Sequence, residues 1–518
     1  MAKPGSGSAA KIITALTAHG QFAYDQKGRG WWLPWREFDD PYAKPHDEWI
    51  APIQIASASF NQFASKIATS PVVGKAAKEI QEACLGEAYK GLPIHAVDWS
   101  SYDHEHRTLR IAISESHVVC VSSEGYSVER NGAGMVYVLP YNFEPLHLDT
   151  LLAYMQPGSE TMPNLHACLL DELPPAALTS WHRENGAWTT EEQAAVVKAW
   201  WLGTFLEPAI PGRPILSFIG QKGSGKSVSA RQLGILFYGK NYEVSGGVGG
   251  SRAVKDLIAT IVNVPVTVAD DLNDVPADIV DTLCKISTGA SIQLATMHET
   301  LALSTYKARS SIALTSNRPM WALRDDLMDR MLPLVLDSVK PATNMTEVAR
   351  CHRSSRYRTA VWGETLYCLY FALANSNIWD RKVRFEEWET MVRRIADRGG
   401  WHGVLHTALC KAKAQRVAVA CWADSFVAAL YKVADSSRDN PKLYSASELY
   451  DAVTMRMGGT VSAVATDRPS ARAIASPAAL GKFLGTINRS GSTVVDIMRG
   501  PDIGGSATWT IRPKDMED

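Results

Sequence analysis

Residues 220–227 read GQKGSGKS, between the apolar run Pro214–Ile219 (PILSFI) and the helix-forming stretch Val228–Phe237 (VSARQLGILF). The eight residues fit the pattern G-x-x-x-x-G-K-[ST] in its required setting, a strand before and a helix after. Each residue type has a physical reason. Glycines let backbone N–H groups curl round phosphate oxygens with no Cβ in the way. Gly220, Gln221, Lys222, Gly223, Ser224 and Gly225 thus form a cradle; Lys226 offers charge to the β and γ oxygens, and Ser227 a hydroxyl to Mg²⁺. The expectation is a nucleoside-triphosphate site with ATP and Mg²⁺ as its ligands.

Further along, VPVTVADD (Val264–Asp271) is an apolar strand ending in two acids. Such a strand delivers its carboxylates to the carboxyl edge of a sheet, beside the phosphates. Asp270 reads as the organiser of Mg²⁺ and its waters, and Asp271 as the group that polarises the attacking water. The alternative is a pair of helix-capping aspartates ahead of Asp274 and Pro276. A third strand, Ser311–Ser316, ends on Asn317, whose neutral amide suits the orientation of a lytic water; Asn before Arg318-Pro319 is also a good turn. Thr189–Leu206 has the pattern of an amphipathic helix with Glu191 and Glu192 in its first turn. From there to about residue 340 strands alternate with helices, the rhythm of an α/β fold with a mostly parallel sheet.

On these motifs residues 188–340 resemble an AAA+ ATPase of the superfamily-three helicase kind. That group joins a phosphate loop, a strand ending in two acids or an acid and Asn, and a strand ending in Asn. The likeness is greatest to helicase-like ATPases of phages, plasmids and other mobile elements, where the third strand is likewise followed by a segment like RDDLMDRMLP (Arg324–Pro333). The resemblance implies an ATP-driven DNA helicase or replication initiator working as a hexameric ring, in which an arginine of one subunit completes its neighbour's site. Arg330 is the first candidate for that arginine and Arg324 the second; either can also pair with Asp325, Asp326 or Asp329. Asp271 departs from the Glu commoner in AAA+ proteins, which leaves its part as a base open.

Nucleic acid has two candidate contact regions. Residues 290–307 alternate on both sides of a short polar break, the pattern of a β-hairpin, and superfamily-three ATPases carry a hairpin at this point, aimed into the channel of the ring. His298 near its tip and Lys307 are its candidate phosphate contacts, or ordinary surface residues. Near the C-terminus, Ser445–Glu448 is a capping box opening a helix, and Ser476-Pro477 opens a second helix to Asn488. Strands at 493–498 and 508–511 follow. Helix, helix, strand, turn, strand is a winged-helix outline that would bring Lys482 to a major groove; a protein-binding winged helix is the alternative. The basic stretch Arg350–Arg358 reads as a face for DNA, for a neighbouring subunit or for solvent, and Asp103–His106 lacks the partner cluster a metal site needs.

The domains expected are an N-terminal α+β domain at 11–170, the AAA+ ATPase at 188–340, a helical region at 341–435 and the winged helix at 440–514. A breaker-rich linker surrounds Leu173–Ala176. With 46% hydrophobic and 21% charged residues the chain is ordinary globular material, and its formal net charge of −1 selects no partner. The charge is unevenly spread, −7 over residues 1–340 and +6 over 341–518, so the back third is where a polyanion would be drawn. Eight cysteines without metal-ligand spacing suit reduced thiols. No signal peptide and no apolar run of about 18 residues are present, so the expectation is a cytoplasmic protein without membrane contact. Two rival functions remain at this level: a DNA-bound ATPase that remodels or recruits proteins without unwinding, and a P-loop small-molecule kinase.

Overall fold

The structure, a computed structural model, describes residues 6–26, 28–34, 51–68, 72–132, 135–140, 142–155, 188–244, 257–258, 260–261, 264–273, 275, 277–295, 303–307, 310–336, 355–374, 385–457, 476–490, 494–503 and 507–513. The chain divides into two compact units, 1–149 and 150–518.

The first unit is mixed α and β. Helix α1 (Ser6–His19) leads into β1 (Gly20–Asp25) and β2 (Gly30–Pro34), followed by β3 (Ile53–Gln54), α2 (Ala58–Ala68), α3 (Gly74–Ala88) and β4 (Leu92–Ile94). The sheet order is β3-β2-β1-β4, and Ile12, Leu16, Trp32, Phe60 and Ile80 close a core between sheet and helices. Next come β5 (Ala96–Asp98), β6 (Ser100–Asp103), β7 (Thr108–Ala112), β8 (His117–Ser122), β9 (Gly125–Arg130) and β10 (Val136–Val138). The run β6 to β9 is an antiparallel meander and β5 pairs with β10 in parallel. At the head of the meander Asp103 is occupied by its own turn, accepting from the backbone of Glu105 and His106 and facing Arg110 at 3.5 Å. No group of three metal-ligating side chains occurs among the described residues. Helix α4 (Leu148–Met155) spans the division between the units, and the expected linker at 173–176 lies outside the described residues.

The second unit is built on four parallel strands: β11 (Ile215–Gly220), β12 (Val266–Ala269), β15 (Ser311–Ser316) and β16 (Met331–Leu336), in the order β12-β15-β11-β16. Every residue of the four is buried, as a parallel sheet covered on both faces requires. Both sheet edges are closed by side chains. On one, Gln193 of α5 (Thr190–Phe205) accepts from the Val335 N–H at 3.1 Å. On the other, the Tyr238 hydroxyl at the end of α6 (Lys226–Tyr238) both donates to Val266 O (2.7 Å) and accepts from Val266 N (2.9 Å), while Tyr242 accepts from Val268 N. Paired this way, neither edge offers a template for another strand.

Helix α5 begins where expected, with Glu191 and Glu192 in its first turn, and Thr189 and Glu192 form a capping box there that was not anticipated. The expected amphipathic character is not present: buried residues run round the whole helix, from Glu192 to Phe205. Later helices supply the reason. After α7 (Ala277–Ser287) and the short α8 (Asp325–Met328) come α9 (Ser355–Ala374), α10 (Glu386–Arg398) and α11 (His402–Cys410), which pack on the outer face of α5. Trp201, Phe205, Phe237 and Trp362 meet there edge to face. Within α9 the basic stretch is corrected at Arg358, which is buried and donates to Phe237 O at the end of α6 (2.8 Å) beneath Trp362. It is a core residue that satisfies a helix-end carbonyl. Residues 350–354 lie outside the described ones.

Between α7 and β15 the expected hairpin is present: β13 (Ser291–Ala295) pairs antiparallel with β14 (Leu303–Lys307). The C-terminal elements follow α12 (Ala412–Ala423) and α13 (Ser425–Asp435) as β17 (Leu443–Ser445), α14 (Ala446–Arg456), α15 (Pro477–Ser490), β18 (Val495–Arg499) and β19 (Thr508–Pro513). The two helices and two strands expected there exist, with the Ser445–Glu448 box in place; β17 was not anticipated, and it completes a sheet of order β17-β19-β18. One apolar cluster runs without a break from Ile219 and Leu314 through Val417 and Leu430 to Leu449, Leu484 and Trp509. Among the described residues no helix is long and apolar enough to cross a membrane.

Candidate nucleotide site

The segment after β11 has the backbone its sequence demands. Gly223 (φ 86°) and Gly225 (φ 80°) take left-handed conformations that cost a side-chain-bearing residue free energy. Gly220 has no room for a side chain, since a Cβ there would lie 2.6 Å from Ser224 Oγ and against Leu336 O. Ser224 is fully buried beneath the loop and its hydroxyl has no partner among the described groups. Gly225 starts α6 without a side-chain cap, unlike the boxed starts of α5 and α14. An uncapped helix start behind alternating left-handed glycines is an anion-binding concavity. Lys226 is 9% exposed and folds back so that Nζ donates to Gln221 O at 3.3 Å, which holds its charge over the loop. Gln221, Lys222 and Gly223 are exposed on the loop and Ser227 sits half-buried in the first turn of α6. These residues fit a polyphosphate with a divalent cation.

The strand order brings the other predicted groups to the same edge. With β15 between β11 and β12, Ser316 lies opposite Ile219 and Leu314 opposite Ala269. Asp270 and Asn317, each one residue past its strand, therefore flank the loop within about two strand spacings, roughly 10 Å. Asp270 is half-buried and accepts a hydrogen bond from Thr315 Oγ1, which in turn accepts from Asp271 N at 2.9 Å. Asp271 is exposed and left-handed (φ 58°), an uncommon backbone for a residue with a Cβ. Its Oδ1 accepts from Asn273 Nδ2 at 2.8 Å. Asn273 Oδ1 takes three donors at 3.0 Å each: Ser316 Oγ, Asn317 N and Arg318 N. Neither Thr315 nor Asn273 was singled out from sequence, because their partners are more than forty residues away. The signal available was only their place, one residue inside the end of a strand and two beyond an acid pair.

Arg330 is not at this edge. It precedes β16, and Ile215 N donates to its carbonyl (2.8 Å), which fixes it at the amino edge where β11 begins. Its guanidinium donates through Nη1 to Asp326 O, and Nε is buried without a partner among the described groups. Arg324 is exposed and paired with Asp326 (2.9 Å) and Asp281 (3.9 Å). Burial alone would raise the Asp326 carboxyl, but the Arg324 guanidinium outweighs it and holds the group below its usual range. From α12, half-buried Arg416 grips Asp329 through Oδ1 and the carbonyl (3.2 Å each), and buried Gln415 donates to Pro333 O.

The remaining candidates lie elsewhere. Lys307 ends β14 opposite Ser291; its side chain and all of His298 lie outside the described residues. Lys482 is exposed on α15.

Residues 184–366, about a third of the chain, match the family described as actinomycete integrative conjugative element replication protein. No curated protein matches the chain. The A-form apo structure of the NrS-1 C-terminal region is similar over 97% of this chain and 98% of its own, at 10% identity and a TM-score of 0.37. The apo structure of the NrS-1 C-terminal region aligns over 98% and 99%, at 11% identity and a TM-score of 0.35. Superposition at that level carries no argument about fold or function.

Proposed function

We propose that the chain is a Mg²⁺-dependent ATPase of AAA+ type that acts on DNA, as a ring and in the manner of a helicase, in the replication of a mobile element. One observation carries the ATPase reading: the glycine cradle with Lys226, the acid Asp270 and the amide Asn317 end three adjacent parallel strands at one sheet edge. Similarity over residues 184–366 to replication proteins of integrative conjugative elements supports the replication setting.

Lys226 and the loop bind the phosphates, Ser227 and Asp270 hold the cation with its waters, and Asn317 orients the attacking water with Asp271 as its proton acceptor. Held by Ser227 and Asp270, Mg²⁺ would supply positive charge against that developing on the phosphates. An arginine from a neighbouring subunit, Arg330, completes the charge compensation. The hairpin with His298 and Lys307 contacts the DNA backbone, and the C-terminal elements, read as a winged helix, add Lys482. The element order from α13 to β19 and the sheet order β17-β19-β18 support that reading.

The second reading is a DNA-bound ATPase that recruits or remodels proteins without unwinding. ATP hydrolysis and strand displacement on a forked duplex, measured together, test the proposal. Hydrolysis without displacement favours the second reading, and absence of hydrolysis rejects both.

A further inference from the structure

We propose that Asn273 is a positioning residue that aims Asp271 and Asn317 at once. The inference rests on the ATPase reading above and deepens it. One amide joins the two segments that carry the reacting groups. Its oxygen is saturated by three donors from the end of β15: Ser316 Oγ, Asn317 N and Arg318 N, each at 3.0 Å. Its nitrogen donates to Asp271 Oδ1 at 2.8 Å. Two consecutive backbone N–H groups held on one oxygen fix the turn from which the Asn317 side chain departs. The carboxylate on the other side belongs to a left-handed residue, a conformation that persists only where its surroundings over-determine it. Asn273 and Thr315 are the groups seen to do so, Thr315 from the backbone side and Asn273 from the carboxylate side. The segment is anchored beneath by Trp321 Nε1, which donates to Leu272 O at 2.8 Å. Asp270, Asp271 and Arg318 are the titratable groups of the two joined segments among the described residues.

The chemistry of an amide makes the two halves separable. Asn273→Asp keeps an acceptor for the three donors of the β15 turn but replaces the donor facing Asp271 with a second carboxylate. The turn survives and Asp271 is repelled. Asn273→Ala removes both halves and leaves two backbone N–H groups without their acceptor.

The full-length chain is assayed at pH 8 for ATP turnover and for ATP binding, with Lys226→Ala in parallel. For Asn273→Asp we expect kcat lower by about 10- to 100-fold, the usual effect of losing a partner that orients a reacting group, with ATP affinity within about threefold of the unsubstituted chain. Asn273→Ala, which loses both halves, should lower kcat at least as far. A residue that merely packs the loops would lower ATP affinity together with kcat. An Asn273→Asp kcat equal to that of the unsubstituted chain, or a loss expressed in ATP affinity alone or in both equally, overturns the positioning role. Undiminished hydrolysis by Lys226→Ala overturns instead the ATPase reading on which it rests.

Discussion

Removing the Arg330 guanidinium is the sharpest test of how the site is completed. Arg330 sits where β16 and β11 begin, whereas the glycine-rich loop leaves β11 at its far end, after Gly220. Ile215 to Gly220 is five strand steps, about 16 Å. That is beyond the reach of an arginine side chain, whose Nη1 is moreover held by Asp326 O. Within one chain Arg330 therefore serves no loop; any part it has in hydrolysis is played on a neighbour. Arg330→Ala should leave ATP binding intact and lower turnover by about 10³- to 10⁵-fold, the range for arginine fingers, equivalent to about 4–7 kcal/mol of barrier. Neither Arg330→Ala nor Lys226→Ala alone should hydrolyse ATP. If the chain assembles as the proposed ring, equal amounts of the two allowed to exchange subunits should give rings in which about a quarter of head-to-tail interfaces pair an intact loop with an intact arginine. Phosphate release should then recover to as much as about a quarter of the unsubstituted rate if interfaces act independently. Mixed rings verified by native mass measurement that release no phosphate would refute the trans-acting arginine and turn attention to Arg324.

Other outcomes follow from the same geometry. Lys226→Ala and Asp270→Asn should each abolish Mg²⁺-dependent turnover, while Asp271→Asn should bind ATP and hydrolyse it slowly; steady-state phosphate release reads all three. Tyr238→Phe strips both polar groups of Val266 of their partner, so denaturant unfolding should report a loss of about 2–4 kcal/mol, and an unchanged midpoint would deny the edge closure. Burial pushes the Cys84 and Cys120 thiols up from 9.0 to about 12, so the folded chain keeps protons that the unfolded chain releases. Their contribution to stability therefore falls as pH rises above about 9, and alkylation at pH 8 should be slow until denaturant is added. If α15 meets DNA, Lys482→Ala should weaken duplex binding and reduce its salt slope by about one unit, measured by titration at several salt concentrations. An unchanged slope favours the protein-binding reading.

What sequence made legible was whatever is determined by near neighbours. The glycine-rich loop between strand and helix was readable because both elements adjoin it, and the capping box at Ser445 because both partners fall within three residues. The acid pair and Asn317 could be assigned to strand ends, but only the order β12-β15-β11-β16 puts them beside one another. The misreadings have one cause. The pattern of α5 cannot reveal that helices two hundred residues later cover its outer face, and a run of arginines cannot reveal that Arg358 turns inward to a carbonyl at position 237. Asn273 escaped notice for the same reason, since its meaning lies in three donors more than forty positions away.

The unbroken apolar cluster from β11 through α12 to β19 bears on how such a chain can be dissected and how it can evolve. Its C-terminal elements are no cassette. A chain cut after α13 would bare Val417, Leu430 and their neighbours to water, and a replacement taken from another protein would have to match that surface side chain for side chain. The same α12 carries Gln415 and Arg416, which hold the carbonyls of Pro333 and Asp329 on either side of Arg330. Changes in the terminal elements are thus felt at the arginine segment. Recombination that exchanges the terminal elements between related chains should consequently place its joints outside 412–513, and sequence drift in those elements should be matched by drift along α12.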